Sequence, residues 1–347
     1  MFANNTHLKG VSQINLRLMT VFVVSVIVLL ISFAYSLVAY SQFSLHLNDL
    51  IVIFSAYDPV NVTHQIITEL RLPRAIVAAL AGAAMACAGL LMQGITRNSL
   101  ASPSVFGVST GAAFAYAFAS TGLLPWLANI PVLLVTMLGA FSAGVAVFFL
   151  GGLHNTRVNP VRVVLAGVAI NYLCVSMTRA AVIYADENAF GVLNWLIGSV
   201  SNTNFGDVNT MLPGSVIGIA IAIALSHKLN LLNLGEELAN SLGSNAKFVR
   251  LWLCAAVVLL VSSAVSVVGP IGFIGLIIPH ICRALIGHDH RFLVPLCIIL
   301  GAGLLLCADV LSRIIRFPDD SPVGIITTSI GALFFLILTL KQVKAAS

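Results

Sequence analysis

Charge is what this sequence has least of. Its 347 residues carry 17 Lys+Arg and 12 Asp+Glu, 8% of the chain, where a soluble domain places charge on about 25–35% of its surface. With 59% apolar residues and a mean hydropathy of +1.04, the chain cannot build a water-soluble surface. It reads as a polytopic membrane protein with lipid as its surroundings. The same figures exclude disorder, collagen and disulfide scaffolds. The formal net charge of +5 is spread along the chain, leaving no basic face for nucleic acid. CxxC pairs are absent: Cys87, Cys174, Cys254, Cys282, Cys297 and Cys307 each sit in or at the end of an apolar run and read as small buried hydrophobes. No HExxH zinc-peptidase motif and no GxxxxGK(S/T) phosphate loop occurs, so the chain does not read as an enzyme, and any ATP that drives it is bound by another chain.

What the sequence has in abundance is apolar length. A bilayer core needs about 20 apolar residues per helix. Runs on that scale recur near residues 18–39, 75–95, 105–124, 129–152, 161–184, 211–226, 251–268, 271–286, 293–311 and 323–340. They predict an all-α polytopic fold of ten transmembrane helices, forming one membrane domain over residues 1–347. The first run follows Lys9 and Arg17 and imitates a secretory signal, but its apolar core of about 22 residues exceeds the usual 7–15 and reads as a retained span. Phe190 to Ile197 is too short to cross and reads as a re-entrant or interfacial helix.

An even number of spans puts both termini on one side, and the distribution of basic residues chooses which. One side carries Lys9, Arg17, Arg97, Arg157, Arg162, Lys228, Lys247, Arg250, Arg283, Arg291, Lys341 and Lys344, the other Arg71, Arg74, Arg179, Arg313 and Arg316. The richer side holds the termini, so both are expected in the cytoplasm.

Some patterns imitate chemistry without its context. Gly107-Val108-Ser109-Thr110-Gly111 matches GxSxG, but a nucleophile elbow needs a strand entering it, and this pentad starts an apolar helix. His280, Cys282, His288, Asp289 and His290 offer metal-ligand types without a zinc spacing, and the last three read as a solvated turn. Gly107-x-x-x-Gly111 and Gly214-x-x-x-Gly218 have the small-xxx-small spacing that lets helices approach closely. No ionisable residue falls at the middle of a run, which argues against an ion-coupled secondary carrier. Arg71 and Arg74 precede the second run, while Asp309 and Arg313 sit one turn apart near the end of the ninth. Snorkelling anchors with a local ion pair would account for these four.

Several segments in order resemble one family, the permease subunits of bacterial ABC importers for iron-siderophores, haem and cobalamin. They are Arg71-Leu72-Pro73-Arg74; Gln93 to Pro103 leading into Phe106 to Ala112; Leu165-Ala166-Gly167-Val168-Ala169; Leu234-Gly235-Glu236-Glu237 with Ser241-Leu242-Gly243; and Gly269 through His280, continuing to Arg283 and His290-Arg291. Ala308-Asp309 with Arg313, and Pro322-Val323-Gly324 with Gly331-Ala332, complete the series. Ser99 and Leu333 stand where the family usually has proline.

The resemblance implies half a transporter in the bacterial inner membrane. It would be completed by a second permease subunit, identical or homologous, by two ATPase subunits that use ATP and magnesium, and by an external substrate-binding protein. This chain itself would hold no cofactor and no metal. The implied cargo is an iron-siderophore-type chelate, with haem or cobalamin as alternatives. Arg71, Arg74 and Arg313 match positions that receive acidic residues of the binding protein, a task suited to the guanidinium fork. Leu231 through Gly243 matches a helix-turn-helix that docks on the ATPase, with Leu234, Gly235, Glu236, Glu237, Ala239, Leu242 and Gly243 at its surface. Asn98 and Leu100 match positions near an inner gate, and the translocation path is expected along the fifth span with Asn171, Ser176 and Thr178.

Overall fold

In hydrocarbon every backbone N–H and C=O needs an internal partner, which a helix supplies from its own segment. The computed structural model describes residues 3–346 apart from 41–44, 56, 105–106, 123, 125, 127–128, 154, 156–158 and 186–188. Phe106 and Arg157, named above, lie outside the described residues. The helices are α1 (Ala3–Val38), α2 (Leu47–Ser55), α3 (Val62–Gln65), α4 (Leu72–Thr96), α5 (Val108–Ser120), α6 (Val132–Leu150) and α7 (Pro160–Tyr184). They continue as α8 (Ala189–Ile197), α9 (Phe205–Leu234), α10 (Glu236–Ser241), α11 (Ala246–Val268), α12 (Ile274–Ile286), α13 (His290–Ile315) and α14 (Val323–Ala346). A π-helical stretch, Ile66–Arg71, joins α3 to α4.

Among the described residues, eight helices are long and apolar enough to cross a membrane. The runs expected at 105–124 and 271–286 are helical only in part. α5 and α12 have 13 residues each, about 20 Å of helix against a hydrocarbon core of about 30 Å. Proline and glycine explain the shortfall, since Pro103 precedes α5 and Gly269-Pro270-Ile271-Gly272 precedes α12. Both helices open on a left-handed residue, Gly107 at φ 76° and Phe273 at φ 67°. The strained Phe273 is accommodated because Gly331 leaves room for its ring; a Cβ there would strike it. The irregular backbone of Ala101, Ser102, Pro103, Gly269 and Ile271 is buried, as such backbone must be at membrane depth.

α4 is the axis of the bundle, packed against α9, α11, α12 and α13. Its alanines and glycines permit this close approach: Gly82 meets Gly301 of α13 and Gly89 meets Gly275 of α12, backbone to backbone. Gly111 crosses Gly139 of α6 in the same way, and Gly214 and Gly218 receive Ser263 and Leu260 of α11, so the expected small-residue spacings are packing contacts. One apolar core extends from Leu37 to Ile326. By contrast α1 and α7 expose Leu30, Ile31, Leu165 and Ile183, the outward apolar face of a multi-pass membrane protein.

α9 has 30 residues, far more than the run at 211–226. Its N-terminus is fixed by a capping box in which the Asn204 side chain accepts from Gly206 N and Asp207 N, while Asp207 accepts from Asn204 N at 2.9 Å. Its C-terminal end carries His227, Lys228, Asn230 and Asn233, which hydropathy assigns to a loop although the helix continues. Leu333 lies inside an unbroken α14, and without a proline at Ser99 the loop after α4 is held by Asn98 Oδ1 accepting from Leu100 N at 2.9 Å. Five cysteines are fully or partly buried, as expected, whereas Cys307 is exposed.

Candidate functional site

Where α1 stops and α4 begins, five charged residues converge. Arg74 Nε donates to Asp309 Oδ1 at 2.9 Å, and its Nη1 lies 2.5 Å from Asp320 Oδ2. Arg313 pairs with Asp309 across one turn of α13, meeting the expected local ion pair, and also donates to Ser36 O at 2.7 Å and Ser36 Oγ at 3.1 Å. Arg71 donates to Tyr40 O at 3.2 Å. Arg74 and Arg313, which the resemblance matches to binding-protein contacts, direct these donors to partners within the chain. Arg313 is 1% exposed and Arg74 is buried, because the last turn of α1 and the segment bearing Asp320 close over them. Arg71 is half-buried and, among the described residues, pairs with no carboxylate. Arg316 is exposed, 3.8 Å from Asp319.

At the opposite end, the segment Leu231–Gly243 is the last turn of α9, a turn at Gly235 (φ 127°), and α10. Leu234, Leu238 and Leu242 recur every fourth residue and are 62%, 56% and 61% exposed, while Ala239 is buried beneath them. Among the described residues this apolar ridge is uncovered. Glu236 does not share that surface. It pairs with Arg250, itself 1% exposed, whose Nη1 also donates to Leu153 O at 2.7 Å. Glu236, which the resemblance places in the ATPase-docking segment, thus ties α10 to α11 through Arg250, and Arg250 in turn holds the segment after α6. Glu237 and Gly243 are exposed, and Gly235 is half-buried.

Beside this ridge the ends of α4, α9 and α12 and the start of α13 border an open cavity of about 490 Å³, lined among others by Arg97, Asn98, Asn230, Arg283, His288 and His290. Asn230 organises one wall. Its Nδ2 donates to Asp289 Oδ1 at 2.7 Å, which turns its Oδ1 toward His290 N at 2.9 Å and His290 Nδ1 at 2.7 Å. Asp289 also caps α13 and accepts from Arg291 Nη2 at 2.7 Å. The Arg291 guanidinium, more than any other group, brings the Asp289 carboxyl down to about 2. The turn expected to be solvated is thus partly built into the fold, with His290 buried. Among the described residues no group of three His, Cys, Asp or Glu is placed to hold a metal ion.

A profile described as the FecCD transport family matches residues 14–341. The chain belongs to the FecCD transport family. It is 41% identical over 276 residues to the Fe(3+)-citrate import system permease protein YfmD of Bacillus subtilis (strain 168), covering 80% of this chain and 81% of that protein. It is 38% identical over 277 residues to the Fe(3+) dicitrate transport system permease protein FecC of Escherichia coli (strain K12), covering 80% and 83%. A solved structure described as an inward-facing conformation of a metal-chelate type ABC transporter superposes with a TM-score of 0.80 at 28% identity, over 93% of this chain and 99% of that one.

In this FecCD permease, α7 sorts the three residues expected along a path. Ser176 is exposed on the stripe of Tyr172, Leu173 and Met177, Asn171 is half-buried, and Thr178 faces inward with its Oγ1 donating to Cys174 O at 2.8 Å. Thr178 is therefore withdrawn from the exposed face by its own helix. Asn98 lines the cavity and Leu100 is 61% exposed beside it. The sequence reading did not anticipate Asp320, Arg250 or Asn230. Asp320 and Arg250 carried a signal, as charges next to apolar runs, but Arg74 lies 246 positions from Asp320, and Glu236 meets Arg250 only because the chain turns between α10 and α11.

Proposed function

We propose that the chain is the membrane-spanning subunit of an ATP-driven importer that carries an iron-siderophore-type chelate from an external binding protein into the cytoplasm. The observation that carries the substrate class is the 41% identity, over about four-fifths of both chains, to a ferric-citrate permease. In this reading residues 1–347 form one permease domain with ten crossings, two of them completed by the irregular segments before α5 and α12. Both termini lie in the cytoplasm. Arg71, Arg74 and Arg313 group at one end of the bundle and Arg97, Arg250 and Arg283 at the other, which agrees with the two sets of basic residues on which the positive-inside assignment rests.

The inner-membrane assembly would pair this chain with a second permease, identical or homologous, and with two ATPase subunits that bind ATP and magnesium. The leucine ridge of α9 and α10 is the surface for the ATPase, because an exposed apolar row at a cytoplasmic end needs a cover. Of Arg71, Arg74 and Arg313, Arg71 is the least enclosed and is the one we assign to the binding protein. Ser176 and Asn171 border the path, and Asn98 and Leu100 its inner end. No bound cofactor or metal is assigned to the chain.

Uptake of a labelled ferric chelate by vesicles bearing the assembled transporter tests this. Transport that requires ATP hydrolysis and survives an uncoupler is expected. Uptake that collapses with the ion gradient while the ATPase is intact would overturn the assignment.

A further inference from the structure

The cavity at the inner end of the bundle is built to receive negative charge. Two guanidinium groups line it, Arg97 and Arg283, and among the described residues neither has a carboxylate within ion-pair distance. Both are held in place rather than left free in solvent. Arg97 donates through Nη2 to Leu232 O at 2.6 Å, which leaves Nε and Nη1 available. Arg283 donates to Gln93 Oε1, and the buried Gln93 passes the contact on through Nε2 to Gly275 O at 3.1 Å. That chain fixes the Arg283 fork at the cavity wall, and among the described residues its remaining N–H groups have no hydrogen-bond acceptor.

The nearby carboxylate does not neutralise them. Asp289 is bonded to Asn230 and Arg291. The start of α13 is occupied as well, because Asp289 accepts from Arg291 N at 3.0 Å and Asn230 accepts from His290 N. The site is therefore the pair of forks, not the helix end. At about 490 Å³ the cavity is the size of a small polar ligand or a lipid headgroup, and two planar forks suit the oxygens of a phosphate.

We propose that this cavity binds a phosphate group, carried either by an acidic phospholipid headgroup or by a soluble phosphate. Binding is read on the isolated full chain, so its outcome is independent of what the transporter carries. Purified, delipidated protein is titrated with inorganic phosphate by calorimetry in one arm. In the other it is exchanged with phosphatidylglycerol or phosphatidylcholine, and retained lipid is counted by native mass spectrometry. Arg97→Gln and Arg283→Gln are each expected to weaken phosphate-group binding by about tenfold, the effect of removing one charge-assisted contact. Arg162→Gln, at the same end but outside the cavity, leaves it unchanged. Because Arg97 is exposed, its variant folds even if Arg283→Gln does not. Loss confined to phosphatidylglycerol identifies a headgroup site, and loss confined to inorganic phosphate a soluble one. If wild type binds in neither arm, or binds as its variants do, the proposal fails. Protection of Arg97 from chemical modification that appears only in the assembled transporter would then mark the cavity as a protein contact instead.

Discussion

Replacing Asp309 by asparagine keeps the side chain's size and removes one negative charge at a site with 0% exposure. Arg74 retains Asp320 at 2.5 Å, so the charge left uncompensated is that of Arg313. The remaining partners of Arg313 are Ser36 O, Ala39 O and Ser36 Oγ, which are dipoles rather than charges. Breaking a buried ion pair on one side costs about 3–5 kcal/mol, and in a chain of this size that lowers the unfolding midpoint by about 4–7 °C. Thermal unfolding of the detergent-solubilised chain, followed by exposure of its buried thiols, measures the shift. Asp309→Asn combined with Arg313→Met removes both charges and should recover more than half of the loss, since no uncompensated buried charge is then left at Arg313. Arg316→Gln, at an exposed pair 3.8 Å apart, should change the midpoint by less than about 2 °C. Asp309→Asn unfolding at the temperature of Arg316→Gln would refute the reasoning.

Two further perturbations separate the anchor of α10 from its surface. Arg250→Met removes the partner of Glu236 and the donor to Leu153 O, so limited proteolysis within residues 235–245 should accelerate severalfold; unchanged cleavage would mean that the ion pair does not hold this segment. Leu238→Glu charges the exposed ridge without touching that anchor, so the chain should stay folded while co-purification of the ATPase falls at least about tenfold. Full recovery of the ATPase with this variant would remove the ridge as its docking surface.

The helical class and the membrane setting are written locally. A run such as 75–95 states its length and polarity without reference to the rest of the chain, and hydropathy is a sum over neighbours. The order of motifs from Arg71 to Ala332 marked the family for the same reason. Helix ends were less legible, because α9 extends through Asn230 and Asn233, where a continuous backbone ladder outweighs side-chain polarity. α5 and α12 stop short because flanking glycine and proline break the ladder inside an apolar run. The Asp309–Arg313 pair, one turn apart, was legible locally, whereas the long-range partners of the charged residues were decided by tertiary structure. Arg74 and Asp309 are 235 positions apart, and nothing in either neighbourhood says that α4 and α13 cross through Gly82 and Gly301 and bring them together. Burial of a charge depends on what closes over it, and for Arg74, Arg250 and Arg313 that cover comes from segments the sequence places far away.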